Sequence, residues 1–285
     1  MISYGIMQGR LTPSKGRGIQ FFPFDNWKNE FISASRLGIN EIEFIFDYEK
    51  FESNPLWTKD GVNEVKSIIS STGVKIKSLC FDYFMRRPFY KYSGIERENV
   101  REENKVFLIH IIEAMSQIGG ELVEIPAVDN SSLTTSDEKE LFAVFIKEIL
   151  KETEPNYSNI KIGLETDLDI ENFVDFIDGI SSKRLGANYD SGNSSGLGYD
   201  LYKEVTHLQH RILNIHIKDR IYKGTTVPLG TGSADFDSLF KGLNEIGYSN
   251  SFIIQAARGI DGEEENTIMM QKEFIELLVK KFRIK

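Results

Sequence analysis

Short runs of β-branched and aromatic residues alternate along this chain with longer segments whose apolar positions recur at helical spacing. The first run is Ile2 to Met7, and a polar loop with Gly9, Pro13, Gly16 and Gly18 follows it. A helix is predicted from about Asn26, with Phe31, Ile32, Ser35 and Leu37 in phase and Gly38 as its stop. Further strands are predicted at 41–46, 74–81, 122–126, 160–165, 185–190, 212–217 and 251–255. Helices are predicted between them, from Thr58 or Asp60 to Gly73, from Glu96 to Ile118, and from Ser136 as N-cap to Thr153. The remaining helices are expected over 170–180, from Asp200, over 237–246 and over 263–281, with a Gly/Ser-rich loop after Asp190 and a long loop around Pro228, Gly230 and Gly232. Eight strand-plus-helix units without a linker or composition break predict an α/β chain forming one (β/α)8 TIM barrel over residues 1–285. A doubly wound open sheet is the competing arrangement. It needs a glycine-rich phosphate loop after an early strand, and neither G-x-G-x-x-G nor G-x-x-x-x-G-K-[ST] occurs here.

In such barrels the chemistry sits at the C-terminal ends of the strands. The last four predicted strands end in Glu165, Asp190, His216 and Gln255, each after an apolar run. His216 alternates with Ile215 and Ile217 and so faces away from both. Taken singly, each residue has an ordinary structural explanation: a charge near a helix, a turn aspartate, a satisfied core histidine, a capping amide. Four consecutive strand ends carrying potential ligands point instead to a mixed oxygen and nitrogen set. Such a set suits one divalent ion of the Mn, Mg, Co or Zn kind. Around it, Lys218 and Arg220 follow His216, Glu43 sits near the end of the second strand, Asp82 follows the third, and Arg10 follows the first. Arg258 lies three residues beyond Gln255 and is a candidate for holding an anion. His110, His207 and His210 lie on helices away from any strand end.

Composition narrows the partners. Lys and Arg total 34 against 43 Asp and Glu, a net charge of -9, which argues against non-specific nucleic-acid or anionic-membrane binding. No stretch approaches the run of about 18 apolar residues that spans a bilayer. The N-terminal apolar piece is too short for a signal peptide, and the lone Cys80 permits no internal disulfide. A cytoplasmic location is expected. A homodimer or homotetramer is compatible with these features.

The motifs Gly5-Ile-Met-Gln-Gly-Arg-Leu11, Gly163-Leu-Glu-Thr166, Asn188-Tyr-Asp-Ser-Gly-Asn193, His216-Ile-Lys-Asp-Arg220, Pro228-Leu-Gly-Thr-Gly232 with Asp235-Phe236, and Phe252-Ile-Ile-Gln255 span nearly the whole chain. With them the chain resembles the sugar phosphate isomerase/epimerase family of xylose-isomerase-like barrels. The resemblance implies a metal-dependent isomerase or epimerase acting on a small carbohydrate or sugar phosphate through an enediolate. Glu165, Asp190, His216 and Gln255 would be the metal ligands, and Glu165 the base. Two departures stand out. The fourth ligand is usually glutamate in the family, and Gln255 cannot accept a proton at neutral pH, so a two-base epimerisation conflicts with this chain. Asn193 stands where some relatives carry a substrate-contacting histidine. The alternatives are a dehydratase or lyase acting on a keto-inositol-like substrate and a sugar-binding barrel without turnover. An abasic-site endonuclease, which needs more histidine ligands and a basic groove, ranks below both.

Overall fold

The computed structural model describes residues 2–284. Eight parallel strands form a closed barrel: β1 (Tyr4–Met7), β2 (Glu41–Ile45), β3 (Ser78–Cys80), β4 (Leu122–Ala127), β5 (Lys161–Thr166), β6 (Leu185–Asp190), β7 (Ile212–Ile217) and β8 (Phe252–Ile254). Their order around the barrel is β1, β8, β7, β6, β5, β4, β3, β2, so sequence neighbours are spatial neighbours throughout. Strands β2, β4 and β6 are buried along their whole lengths, including the polar residues Glu41, Glu43, Glu124, Asn188 and Asp190 that they carry.

Contacts divide the chain into two compact units, each discontinuous in sequence. The first comprises residues 1–44, 68–75 and 188–285. Within it β1 pairs with β2, Met7 opposite Glu43, and with β8, Ile6 opposite Ile254; β8 in turn pairs with β7, Ile253 opposite His216. This register sets the ends of β1, β7 and β8 level. The second unit comprises residues 45–67 and 76–187. It holds β3, β4, β5 and the first half of β6, with Pro126 opposite Glu165. Its core is aromatic: Phe46 stacks on Phe81 with ring centroids 5.7 Å apart, and Phe89 meets Phe145 at 5.0 Å. His110 packs 4.5 Å from Trp57 in this unit, and Cys80 is buried there as a small hydrophobe.

Element boundaries differ from the sequence reading in four informative places. The helix predicted to be capped by Ser136 is capped by Thr135, whose hydroxyl accepts from the Glu138 N–H at 3.2 Å while Glu138 reaches back to the Thr135 N–H at 3.1 Å. A capping box needs Glu or Gln three residues after the cap, and that spacing selects Thr135. The helix also runs to Tyr157 rather than Thr153. The Gly/Ser-rich stretch predicted as a loop is a helix, Ser191–Leu197, because Asp190 caps it. The long loop after β7 contains a two-stranded ribbon, Asp219–Arg220 against Thr226–Val227. Strand β3 is only three residues of the eight predicted.

Candidate active site

Strand β2, the ends of β6, β7 and β8, the helix after β6 and the loop after β7 bring seven polar side chains of the first unit into one group. Asp190 closes β6 and divides its carboxylate between two tasks. Oδ1 accepts from the Asn193 N–H at 2.8 Å, capping the helix Ser191–Leu197, and Oδ2 accepts from Lys218 Nζ at 3.1 Å. Ser191 ties that helix to the chain after β7, donating from Oγ to the Lys218 carbonyl at 2.7 Å and accepting from the Lys218 N–H at 3.0 Å. The approach is close: a Cβ at Gly192 would lie 2.4 Å from Lys218 Cγ, so the residue there must be glycine or Lys218 must move.

Lys218 Nζ is also 3.2 Å from Asn193 Oδ1 and 3.3 Å from Gln255 Oε1. Three oxygens from two strand ends and one helix therefore surround a single ammonium. Gln255 is held in one orientation, since its Nε2 donates to Gln20 Oε1 at 3.0 Å and its Oε1 is left facing Lys218. Arg220 donates to Asn193 Oδ1 at 3.1 Å and to the Gly224 carbonyl at 3.1 Å. Burial alone would raise the Asp190 carboxyl. The Lys218 ammonium, His216 and the Asn193 N–H outweigh it and hold Asp190 well below the usual carboxylate range.

His216 and Glu43 are both fully buried, with His216 Nε2 2.6 Å from Glu43 Oε1. A carboxylate only accepts, so Nε2 carries the proton in this contact. Glu43 Oε2 accepts from Asn214 Nδ2 at 2.7 Å, and the same nitrogen donates to Asn188 Oδ1 at 2.7 Å. With Nε2 committed, Nδ1 is the nitrogen that faces Asp190, 3.8 Å from Oδ2. The Asn188 amide nitrogen lies 3.2 and 3.4 Å from the two ring nitrogens, too even a pair for a well-aligned bond to either. A histidine whose distal N–H is held by a carboxylate has a fixed tautomer and a more basic ligand nitrogen, as metal-bound histidines do.

The structure thus brings together Asp190, Asn193, His216, Lys218, Arg220, Gln255 and Glu43. Glu43 is fully buried against the imidazole. Arg258 lies apart from them, bonded to the carbonyls of Gly9, Thr12 and Ile19 in the loop after β1. Glu165 is buried near the end of β5 in the second unit, and Asp82 is half-buried there before the short helix Tyr83–Arg86.

Four contributors escaped the sequence reading. Asn188 and Asn214 each lie two residues before a site residue on the same strand face, and this parity was a usable signal. Asp219 is fully buried and accepts from the backbone N–H groups of Gly230, Gly232 and Ala234 at 2.9, 2.8 and 3.0 Å, which fixes the loop after β7. Glu30 does the same for the loop after β1, accepting from Gly9, Leu11 and Thr12. Neither has a local pattern that announces it.

Comparison with known proteins agrees with this fold. The family model described as xylose isomerase-like TIM barrel matches residues 31–274. The chain is 24% identical over 244 residues, 80% of its length and 81% of the relative's, to L-ribulose-5-phosphate 3-epimerase UlaE of Salmonella heidelberg. Among solved structures it resembles an L-ribulose 3-epimerase with a TM-score of 0.76 at 16% identity, covering 99% of this chain and 96% of the other. It also resembles the IOLI protein with a bound zinc atom, with a TM-score of 0.73 at 17% identity and 99% coverage of both chains. The relatives named as epimerases are themselves enzymes of the isomerase class. With a family model matching most of its length over a closed parallel barrel, the chain belongs to the xylose isomerase-like TIM-barrel family.

Proposed function

We propose that this protein interconverts an aldose and a ketose, or their phosphates, through a cis-enediolate, with Glu165 as the base and one divalent ion held by Glu165, Asp190, His216 and Gln255. Three of the four, Glu165, Asp190 and His216, are buried and each offers one ligand atom. The donor chemistry fits a cation: Asp190 Oδ2, Asn193 Oδ1 and Gln255 Oε1 already gather round the Lys218 ammonium, which stands in for one. When bound, a divalent ion supplies Lewis acidity toward the oxygens of the sugar. The protein supplies the rest. Glu43 holds the His216 ring through Nε2, and Gln20 turns the Gln255 amide so that its oxygen faces the site. Glu165 takes the proton from the carbon next to the carbonyl and returns it to the neighbouring carbon. Lys218 and Arg220 present donors to sugar hydroxyls or to a phosphate.

The observation that carries this reading is the fixed Gln255 amide. Its oxygen can ligate a cation but its neutral amide cannot accept a proton, so one carboxylate serves as base and the proton stays on one face. That favours aldose–ketose isomerisation. The name of the relative UlaE favours a second reading, epimerisation at C3, which needs a second acceptor on the opposite face.

Solvent deuterium wash-in over a panel of ketoses and their phosphates separates the two, since label enters C1 in the first case and C3 in the second. Glu165→Gln is expected to slow wash-in by about 10²- to 10⁴-fold. Undiminished exchange in that variant would remove Glu165 as the base. Metal analysis is expected to find about one divalent ion per chain, lost in His216→Ala.

A further inference from the structure

The Gln255 amide is tied to a second polar cluster of the first unit, centred on one backbone carbonyl. The Ile19 carbonyl accepts from two guanidiniums at once: from Nη1 of Arg10, buried in the turn after β1, and from Nε of Arg258, after β8, the latter at 2.9 Å. Arg10 extends its other terminal nitrogen, Nη2, to the Gln255 carbonyl at 3.4 Å, so a single guanidinium joins the backbone at 19 to the backbone at 255. One residue further along, Gln20 Oε1 accepts from Gln255 Nε2 at 3.0 Å. The loop after β1 thus meets the chain just past β8 at two points, backbone to backbone through Arg10 and side chain to side chain through Gln20.

Arg258 grips the same loop over a longer reach. Its Nη1 donates to the Gly9 and Thr12 carbonyls at 2.8 and 3.1 Å, and its guanidinium lies over the Phe21 ring, 4.4 Å from the centroid. Gly9 permits this packing. Its φ is +84°, and a Cβ there would lie 2.7 Å from the Phe21 carbonyl oxygen and 3.2 Å from Arg258 Nη2. Asp261 adds the N–H groups of Ser14 and Lys15, at 2.8 Å each. Glu30, Asp261 and Glu264 act on Arg258 through space. Burial above all brings the Arg10 guanidinium down to about 9, which leaves it charged and donating at neutral pH. The cavity that both arginines line, with Asp261 and Glu264 on its wall, measures about 10 Å³, the space of one water, so the pair holds the chain itself rather than a ligand.

We propose that Arg10 and Arg258 are positioning residues: their shared grip on the Ile19 carbonyl keeps Gln20 against Gln255 and so sets which atom of the Gln255 amide faces Lys218. An amide carries an acceptor and a donor on one planar group, and half a turn about its last bond exchanges them. The acceptor on Gln20 holds Nε2 toward the loop and leaves Oε1 for the site. The rotated amide would present two N–H donors there, which repel a cation and cannot ligate one. In this arrangement the arginines act through residues 19 and 20 and the Gln255 backbone. That the facing oxygen binds a divalent ion rests on the ligand set proposed above; the orientation of the amide does not.

Nuclear magnetic resonance of protein labelled with ¹⁵N at its glutamine side chains tests this, the Gln255 signal being identified by its loss in Gln255→Glu. In the wild type the Gln255 Nε2 proton bonded to Gln20 is expected to exchange slowly with solvent. Gln20→Met and Arg258→Met are each expected to speed that exchange by roughly five- to tenfold, the worth of about one hydrogen bond, and Arg10→Met, which frees the same carbonyl, to act alike. Mn²⁺ affinity, read by calorimetry on the same proteins, should fall by roughly the same factor. Gln20→Glu keeps an acceptor and should leave exchange at the wild-type rate. The double variant Gln20→Met with Arg258→Met should be no worse than Gln20→Met alone, because both substitutions break one chain of contacts. Multiplied effects in the double variant would make Arg258 a merely structural residue and overturn its assignment. Unchanged exchange in Gln20→Met would overturn it too, as would an unprotected Gln255 amide in the wild type, which requires no variant to fold. Faster exchange in the variants with Mn²⁺ affinity unmoved would keep the positioning role and discard Gln255 as a metal ligand.

Discussion

Two buried polar clusters in the same unit show opposite ways of burying charge. At the ends of β6, β7 and β8, opposite charges meet: Asp190 faces Lys218, and Glu43 faces His216. In the loops after β1 and β8, Arg10 and Arg258 are hydrogen-bonded to neutral carbonyls, and Glu30, Asp261 and Glu264 act on Arg258 only through space. Burying a charge is costly unless it is paired and hydrogen-bonded. The first cluster meets that condition internally and can hold its geometry before any ligand arrives. The second meets it through backbone carbonyls and carboxylates that act through space. Direct charge pairing therefore distinguishes the first cluster, and charge held by backbone carbonyls the second.

The comparison can be broken most severely at Glu43. Glu43→Ala leaves His216 and Asn214 buried without their acceptor and is expected to cost about 3–5 kcal/mol of stability, read by urea unfolding. It should also weaken metal binding by roughly ten- to a hundredfold, read by calorimetry. A stable variant with normal metal content would show that the imidazole needs no orienting carboxylate.

Glu30 gives the next effect. Burial raises its carboxyl from 4.5 to about 7 despite its hydrogen bonds from Gly9, Thr12 and Leu11. A carboxyl with a higher pKa in the folded state than in the unfolded one binds its proton more tightly when folded. Its contribution is greatest below the unfolded pKa and is lost as pH rises from about 4.5 to about 7. The loss is on the order of 3 kcal/mol. Unfolding midpoints across that window should slope downward in the wild type, and the slope should shrink in Glu30→Gln. Parallel curves would place the titration elsewhere.

Lys218→Met sharpens the opposite-charge half. It removes the ammonium from among Asp190, Asn193 and Gln255 and is expected to raise divalent-ion affinity by about tenfold, measured by calorimetry with Mn²⁺. Weaker binding would show that Lys218 organises the oxygens rather than competing for them. The smallest effect is expected from Gln255→Glu, a severalfold rise in deuterium entering C3 of a ketose, because it adds a proton acceptor without moving the backbone. No change in labelling position would separate the reaction type from this residue.

Much of the barrel was legible because a buried parallel strand followed by an amphipathic helix is a local pattern. The helices 170–180 and the strands β6 and β7 have the predicted bounds, since apolar runs there end in strong caps or turns. The stretch 191–197 misled because glycine and serine favour loops, whereas one aspartate cap and packing against Lys218 make it a helix. Asp190 and His216 were legible as polar ends of apolar strands, and Gln255 as the departure from the family pattern.

The sequence by itself determined the succession of strands and helices, which residues end the strands, and hence the fold and the donor types available. Only the tertiary structure decided that Glu43 pairs with His216 across 173 positions, that the Lys218 ammonium turns toward Asp190, and that Arg10 and Arg258 share one cavity. Strand parity follows from the period of the chain, whereas the direction of a long side chain depends on which charges the fold brings near it.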